Sequence, residues 1–358
     1  MNSVAVGVLV AVSGPEGLFG PSTRDCALLA ADEINRDLDG LLGARINLEF
    51  IDVGQGSSVF MPELCRLLSD NCKALIGVHD SAVREIVSRH IQGSVPYIYT
   101  PPYEGDETGK GLFVLGETPF QQLYTALPWF IQEKRVNTWY LLGNAYKWPY
   151  TTNWLAKQFV GLLGGETLAE EYVPLGSENF DHVLRQIEEL GPDAVLITLV
   201  GNDSICFNRA FAEQGLADKT IRFGPLIEEN TLLGIGAEYS KGIFAASGYF
   251  SCLDTLENKN FMARYNAKFG DNAPMLNVVG QSCYDGLHLL VRLVDKAKSL
   301  EVRKLAAVVE GTTLESPRGS MTMHNGHSTK DMYLVEAEDI DFKIVKTFRG
   351  VPANAPAR

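Results

Sequence analysis

The chain has 358 residues, of which 46% are hydrophobic and 21% are charged, a composition typical of a globular protein with about two domains. Its 44 acidic and 31 basic residues give a net charge of -13, which argues against nucleic acids and anionic membranes as partners. No apolar run approaches the roughly 20 residues of a transmembrane helix.

The first apolar run, Ser3 to Val10, follows Met1 and Asn2 without a basic segment before it. This pattern is typical of a first strand rather than of a signal peptide. The sequence therefore predicts a cytoplasmic protein if Met1 is the native start, and a periplasmic protein if a signal peptide was removed.

The first part of the chain alternates between strands and helices. Strands are predicted at residues 4–12, 46–51, 74–78 and 96–99, and three helices lie between them: one capped by Ser22, one ending near Asp70 and one over residues 81–91. This alternation implies a parallel sheet covered by helices on both faces. Ligands of such sheets bind beyond the carboxyl ends of the strands.

The alternation restarts after Pro119. The sequence predicts helices at residues 120–133, about 150–163, 180–190, 258–269 and 279–298 with one more in the tail, and strands at 138–142, 167–172, 193–199, 222–225, 242–246, 320–323, 332–336 and 341–345. Residues 349–358 are expected to be frayed. The second half therefore repeats the architecture of the first, and the predicted fold class is α/β.

Two strand ends in the first half carry residues suited to a small, partly polar ligand. The run Tyr99-Thr100-Pro101-Pro102-Tyr103 must leave the sheet, because consecutive prolines cannot continue a hydrogen-bond ladder. Ser81 follows the strand at 74–78 and precedes a helix, where free N–H groups can bind carbonyl or carboxylate oxygens. We interpret these ends as one wall of a ligand cleft. Ordinary turn chemistry, with Ser81 only capping its helix, is the alternative.

Strand ends in the second half supply further candidates. Tyr146 and Trp148 precede Pro149 in a loop, a setting that favours a binding site over a plain core position. Asp203 could accept hydrogen bonds from a ligand or could cap a helix. Glu228 is another candidate acceptor, although it and Glu229 could simply be solvated.

The six cysteines form no C-x-x-C pair, and buried free thiols are the simplest interpretation. Cys65 and Cys72 are close enough in sequence for a disulfide, but nothing indicates one. His324 and His327 have loose metal-like spacing with only Asp331 nearby, so a metal site is disfavoured. No P-loop and no complete dinucleotide fingerprint is present, and no cofactor is predicted.

Several longer motifs together carry a family resemblance. They are residues 99–105 (YTPPYEG), 142–149 (LGNAYKWP), 170–176 (EEYVPLG), 249–255 (YFSCLDT) and 316–319 (SPRG). On these motifs the chain resembles the type I periplasmic binding proteins over nearly its whole length. Within them it resembles the amide- and urea-binding branch, which includes substrate-binding subunits of urea transporters and the amide sensor that regulates aliphatic amidase expression.

The resemblance implies an α/β fold of two doubly wound parallel-sheet lobes joined by three crossover strands, near residues 116–118, 248–251 and 325–330. The N-terminal lobe would combine residues 1–117 with 250–326, and the C-terminal lobe would combine 118–249 with 327–358. A ligand cleft is expected between the lobes, with the closed form stabilised by the ligand.

The resemblance also implies a set of ligand-binding residues: His79, Ser81, Tyr99, Pro101, Pro102, Tyr146, Trp148, Asp203 and Glu228. Ser81, Tyr99 and Tyr146 match the family pattern. His79 stands where the amide sensor has a tyrosine, and Pro101 stands where it has a threonine. These departures argue for a ligand other than plain acetamide, such as another amide, a urea derivative or an amino acid.

The expected function is a non-catalytic binding protein for such a ligand. Its partner would be the membrane subunits of an ABC importer or a cytoplasmic regulator protein, and a homodimer is compatible with the resemblance. The alternative is an α/β amidohydrolase with Cys206 or Cys283 as nucleophile, although no base or orienting group can be assigned to either cysteine.

Overall fold

The structure, a computed structural model, describes residues 3–37, 40–107 and 109–355. The strands are β1 (Ser3–Val10), β2 (Arg45–Asp52), β3 (Ala74–Val78), β4 (Tyr97–Tyr99), β5 (Leu112–Val114), β6 (Thr138–Asn144), β7 (Glu166–Val173), β8 (Ala194–Thr198), β9 (Ile221–Phe223), β10 (Ile243–Ser247), β11 (Thr313–Ser316), β12 (Gly319–His324), β13 (His327–Glu338) and β14 (Asp341–Val351). The helices are α1 (Gly20–Asp37), α2 (Ser57–Ser69), α3 (Ser81–Ile91), α4 (Pro119–Trp129), α5 (Lys147–Leu162), α6 (Asp181–Leu190), α7 (Gly201–Glu213), α8 (Glu229–Ile235), α9 (Leu256–Phe269), α10 (Val278–Ala297) and α11 (Val302–Val308).

The chain divides into two compact units. The first comprises Met1–Glu117 and Asp254–Lys330, and the second comprises Thr118–Leu253 and Asp331–Arg358. The chain therefore passes from one unit to the other three times. Strand β13 begins in the first unit, where it pairs with β12, and ends in the second, where it pairs with β10.

The first unit is built on a parallel sheet with strand order β2-β1-β3-β4-β5. Leu75 and Tyr97 point to one face of the sheet and join a core cluster with apolar residues of α2 and α3. Ile76 and Ile98 point to the other face, where a Cβ on Gly286 of α10 would lie 3.7 and 3.5 Å from their side chains. Both faces of the sheet are therefore covered by helices, as is usual for an all-parallel sheet.

The second unit contains the sheet order β7-β6-β8-β9-β10, all parallel, and continues into β13 and β14. Residues 333–336 of β13 pair antiparallel with β10. Its core is rich in aromatic side chains, and the ring of Phe130 lies 5.0 Å from Phe223, 5.3 Å from Phe244 and 5.7 Å from Trp139. The predicted α/β class with parallel sheets is confirmed.

Some local predictions were wrong. Ser22 does not cap α1, because the helix begins at Gly20 and the Ser22 hydroxyl donates to the Phe19 carbonyl, 3.2 Å away. The expected fraying from residue 349 is also wrong up to residue 355. Strand β14 continues to Val351, and the carbonyls of Val351 and Ala353 accept hydrogen bonds from Gln121 and Thr118. Residues 356–358 lie outside the described part of the chain.

Candidate functional site

Ser81 is the first residue of α3, directly beyond the carboxyl end of β3. The helix is capped by the preceding residue, since the Asp80 carboxylate accepts from the Val83 amide at 2.8 Å. The interpretation of Ser81 as the cap is therefore wrong. Its hydroxyl is buried near the Glu104 carboxylate and makes no hydrogen bond. Because the capping task falls to Asp80, the Ser81 side chain does not serve its own helix.

His79 is a buried neighbour of Ser81, and both of its ring nitrogens have partners inside the first unit. Nδ1 lies 3.0 Å from the Asp80 carbonyl and Nε2 lies 2.8 Å from the Tyr97 hydroxyl. Burial lowers the His79 pKa to about 4, so the ring is neutral at pH 7. A carbonyl can only accept, so Nδ1 carries the proton and Nε2 accepts from Tyr97. A ligand contact with His79 would therefore use the ring surface rather than a nitrogen.

Tyr99 ends β4 and is also committed to its surroundings. Its hydroxyl donates to the His79 carbonyl at 2.5 Å, and the Arg84 guanidinium lies over its ring at 4.7 Å. The next residues turn sharply, and a Cβ on Gly116 would lie 1.8 Å from the Pro101 carbonyl oxygen. Pro101 and Pro102 are buried, and the amides on either side of them, those of Thr100 and Tyr103, donate to the carbonyls of Gly77 and Glu117 at 3.1 and 3.0 Å.

A buried ionic cluster that no sequence pattern indicated lies at this edge of the sheet. Arg84 of α3 donates to Glu104 at 2.5 Å and to Glu107 at 2.8 Å, with all three side chains at most 5% exposed. Burial raises the pKa of Glu107 to about 7, and hydrogen bonding to Glu107 and Arg84 lowers that of Glu104 to about 2. Glu104 lies in the motif at residues 99–105, but nothing in the sequence indicates that a residue twenty positions earlier pairs with it.

In the second unit, Tyr146 and Trp148 flank the start of α5, just beyond the carboxyl end of β6. Tyr146 occupies the cap position in extended backbone conformation and is partly buried. Trp148 is 3% exposed, and its indole N–H makes no hydrogen bond. The two aromatic residues therefore lie at a strand end, as the sequence suggested.

Asp203 lies in the first turn of α7 and is fully buried, but Val200 occupies the cap position. The Asp203 Oδ2 atom accepts from Asn144 Nδ2 at 2.7 Å and from the amides of Gly176 and Ser177 at 2.9 and 3.2 Å. Burial outweighs these bonds and raises its pKa. Its Oδ1 atom takes part in none of the three bonds, so this carboxylate retains accepting capacity beside the end of β6.

Glu228 and Glu229 are both buried, at 1% and 2% exposure, so the interpretation that they are simply solvated is wrong. Glu228 caps α8 and accepts from the amides of Asn230 and Thr231 at 2.8 and 2.7 Å and from the Thr231 hydroxyl at 2.7 Å. Glu229 accepts from the Ser251 amide at 2.6 Å. The Glu228 carboxylate is thus largely occupied by its own helix.

The predicted residues therefore form groups within each unit. In the first unit His79, Ser81 and Tyr99 contact one another or share the neighbours Arg84 and Glu104. In the second unit Asp203 bonds to Asn144, two residues before Tyr146, while Glu228 belongs to a different strand end, after β9.

The two candidate nucleophiles of the alternative hypothesis have unfavourable surroundings. Cys283 is fully buried, and burial raises its pKa to about 12. Burial also raises the pKa of Cys206, with a further contribution from the nearby carboxylates Glu178 and Asp203. A nucleophilic cysteine needs a lowered pKa. Cys65 and Cys72 are both free thiols.

The two histidines with metal-like spacing have other partners. His324 Nδ1 lies 3.1 Å from Glu310, and His327 Nδ1 lies 2.7 Å from the Tyr103 hydroxyl, with the two rings stacked. Within residues 3–37, 40–107 and 109–355, no three His, Cys, Asp or Glu side chains form a group that could hold a metal ion. In the same part of the chain, no helix combines the length and apolarity needed to span a bilayer.

Comparison with known proteins gives one family match. The family model described as "Periplasmic binding protein" matches residues 3–341. A Leu/Ile/Val-binding protein homolog from Brucella melitensis is 26% identical over 185 residues, which cover 50% of this chain and 47% of the relative. The chain thus spans about half the length of the curated relatives it matches.

Solved structures with the same fold cover nearly the whole chain. A solute binding protein of an ABC transporter from Rhodopseudomonas palustris HaA2, in complex with p-hydroxybenzoic acid, superimposes with a TM-score of 0.89 at 21% identity and covers 98% of both chains. A leucine binding protein from Thermotoga maritima MSB8 superimposes with a TM-score of 0.85 at 15% identity, covering 97% of this chain and 99% of the other. At these identities the comparison concerns the fold.

Proposed function

This chain belongs to the periplasmic binding protein family, and from that premise we propose that it is a non-catalytic solute-binding protein. Its ligand would be a small amide, a urea-like compound or an amino acid. Its partner would be the membrane subunits of an ABC importer or a cytoplasmic regulator protein. The fold supports this proposal because the polar candidates of each unit lie beyond the carboxyl ends of parallel strands.

The observation that carries the proposal is the buried Ser81 hydroxyl, which Asp80 relieves of the capping role. A hydroxyl and the amides of a helix N-terminus are suited to a carbonyl or carboxylate oxygen. In the second unit, the three hydrogen bonds to the Asp203 carboxylate all end on Oδ2, and the buried Oδ1 atom accepts none of them. That oxygen is suited to a ligand N–H group. Amides, ureas and amino acids carry both kinds of group.

The proposal requires one ligand to contact both strand-end groups. Calorimetry with acetamide, urea, leucine and 4-hydroxybenzoate would identify the ligand class, followed by the variants Ser81→Ala and Asp203→Asn. Loss of one hydrogen bond should weaken binding by roughly tenfold, and by more where a charge is involved. Ser88→Ala is the matched control. Ser88 lies in the same helix as Ser81, and its buried hydroxyl also makes no hydrogen bond.

The proposal is wrong if no compound of these classes binds, or if Ser88→Ala weakens binding as much as Ser81→Ala. Sustained release of ammonia from an amide would instead support an amidohydrolase. The raised pKa values of Cys206 and Cys283 disfavour that outcome.

A further inference from the structure

A cavity of about 780 Å³ lies within the first unit, between the C-terminal half of α10, the loop at residues 40–43 and strand β11. This volume is within the roughly 300–1,000 Å³ of ligand pockets in proteins. The loop directly precedes β2, whereas Ser81 follows β3, and both strands run parallel to β1. The cavity therefore lies at the amino ends of the strands, opposite to the end at which Ser81 lies.

One wall of the cavity is the free edge of β11, which is the outermost strand of its sheet among the described strands and pairs antiparallel with β12. The Met323 amide donates to the Thr312 carbonyl at 2.9 Å, so the next hydrogen-bonded position along β11 is Leu314. The backbone groups of Thr313 and Glu315, on either side of Leu314, therefore point away from β12. Both residues line the cavity, which thus runs along an edge that offers main-chain donors and acceptors.

Apolar side chains form much of the rest of the cavity wall. Leu41 of the loop and Val291 of α10 are 2% and 8% exposed, and Leu314 lies between them and the rest of β11 in the same lining. Leu42 also lines the cavity and is 54% exposed although it is apolar. Such a wall favours a ligand with apolar side chains over a fully polar one.

Two charged side chains that line the cavity have no ionic partner among the described residues. Asp295 and Lys298 pair with each other, whereas Arg292 of α10 and Glu315 of β11 take part in no ion pair within that part of the chain. Glu315 accepts a hydrogen bond from the Ser320 hydroxyl at 3.1 Å, which leaves its charge unbalanced. The cavity therefore offers one cation and one anion to a ligand.

These two charges lie towards different ends of β11. The strand runs opposite to α10, because Lys296 near the end of the helix donates to the Thr312 hydroxyl at 2.9 Å and Gln281 near its start donates to the Ser316 hydroxyl at 3.1 Å. The unpaired guanidinium of the helix therefore lies towards the start of β11, and the unpaired carboxylate lies towards its end.

We infer that this cavity binds a short, extended peptide with apolar side chains and free termini, which adds to the edge of β11. Main-chain groups of the peptide pair with those of Thr313 and Glu315, as in β-strand addition. The peptide ammonium pairs with the Glu315 carboxylate and the peptide carboxylate with Arg292, so the peptide runs antiparallel to β11. Three extended residues span roughly 10 Å, which fits beside a strand of four residues.

Isothermal titration calorimetry of the full chain with the tripeptide trivaline tests the inference. Wild type should bind trivaline, and Arg292→Ala should raise the dissociation constant by roughly tenfold or more, as expected for the loss of a charge-assisted hydrogen bond. Trivaline amide, which lacks the carboxylate, should bind wild type with a similar loss. Arg292→Ala should not weaken binding of the amide further, because the same interaction is already absent.

Arg303→Ala is the matched control, because Arg303 is an exposed arginine of α11 in the same unit and lies outside the cavity lining. This variant should bind trivaline as wild type does. Since Arg292 and Arg303 are both exposed, the thermal midpoints of both variants should stay close to that of wild type.

The inference is overturned if trivaline does not bind, or if Arg303→Ala weakens binding as much as Arg292→Ala. Weaker binding to Ser81→Ala, with no change in Arg292→Ala, would place trivaline at the strand-end site of the proposed function and would also overturn it. Sedimentation velocity covers the remaining occupant. A wild-type dimer that Arg292→Ala dissociates would show that the edge of β11 pairs with a second copy instead of a peptide.

Discussion

Glu228 and Glu229 are adjacent in sequence and equally buried, yet their carboxylates have different surroundings. Three donors from the first turn of α8 stabilise the charged form of Glu228. Glu229 accepts one amide, and its other oxygen is buried without a hydrogen bond. Burial, together with the charge of Glu228, raises the pKa of Glu229 to about 8. Glu229 is therefore protonated at neutral pH.

These surroundings predict opposite effects for two conservative variants. Glu228→Gln removes a charged cap and should lower the free energy of unfolding by about 1 kcal/mol. Glu229→Gln mimics the protonated form and should not destabilise. A carboxyl group whose folded pKa is raised contributes stability below its unfolded pKa near 4.5 and loses it as pH rises through 8. The advantage of Glu229→Gln over wild type should therefore grow between these pH values, by several kcal/mol, since each unit of pKa difference corresponds to about 1.4 kcal/mol.

Urea denaturation of wild type and both variants at several pH values measures these differences. Each variant serves as the control of the other, since both replace a buried glutamate by glutamine at neighbouring positions. Equal destabilisation by the two substitutions at pH 8 would contradict the conclusion that Glu228 is charged and Glu229 is stabilised in its protonated form.

At the residue scale, the sequence predicted where the candidate residues lie in the fold better than it predicted which residues they contact. It indicated that residues around 79–81 and 99–102 follow strand ends, because β-branched runs followed by prolines or helix starts are local signals. It did not reveal that both nitrogens of His79 are occupied or that Arg84 pairs with Glu104 and Glu107. Such pairings depend on the three-dimensional arrangement of strand ends and leave no local pattern.

At the scale of elements, the turn after β4 depends on a close backbone approach. A Cβ on Gly116 would lie 1.8 Å from the carbonyl oxygen of Pro101 and 2.3 Å from its carbonyl carbon. Both contacts are with backbone atoms, which cannot move aside as the end of a flexible side chain can. The segments that follow β4 and β5 can therefore lie side by side only if residue 116 has no side chain.

Gly116→Ala should accordingly destabilise the protein by several kcal/mol, at the upper end of single substitutions. Gly161→Ala is the matched control, because Gly161 lies within α5 and a Cβ there meets nothing within 4 Å. Alanine is the better helix former, so this variant should gain about 0.5–1 kcal/mol. Thermal unfolding gives the stability of each variant. Equal thermal midpoints of Gly116→Ala and Gly161→Ala would contradict the close backbone packing at residue 116.

The elements that sequence reasoning found are the ones with strong periodicity. Strand β3 and helix α3 have the predicted bounds, because a continuous apolar run and a 3.6-residue apolar repeat are clear local signals. Strand β5 has three residues and β11 has four, too short for a pattern. Helices α7 and α8 were missed because residues of weak helix propensity, such as Gly201, Asn202 and Asn230, occupy their first turns. Tertiary packing overrides weak helix propensity there.

At the scale of the whole molecule, each unit is discontinuous in sequence. Glu117 and Lys330 are the last residues of the first unit before two of the three crossings. Arg318 donates to Glu117 at 2.6 Å and to Ser282 at 2.6 Å, and the Lys330 ammonium donates to the Gly116 carbonyl at 3.0 Å. A buried ionic network within the first unit thus fixes both chain exits.

The second unit is completed by the final segment of the chain. Leu334 of β13 belongs to its core, and Phe342 of β14 packs on Phe250 with ring centroids 5.1 Å apart. The carbonyls of Val351 and Ala353 accept from Gln121 and Thr118, which lie at the start of α4. Without residues 331–355, β10 would lose its antiparallel partner and become an exposed sheet edge.

We therefore expect that residues 118–253 alone do not fold cooperatively, whereas the same residues joined through a short glycine–serine linker to residues 331–355 do. A short linker suffices because Ser247 and Tyr333 are direct partners in the sheet, which brings the two segment ends close together. Near-ultraviolet circular dichroism and thermal unfolding report tertiary packing in each polypeptide. A Leu334→Asp variant of the joined polypeptide is the control and should lose the transition, because it places a charge in the core. Cooperative unfolding of residues 118–253 alone would show that the final strands are not needed for the core of this unit.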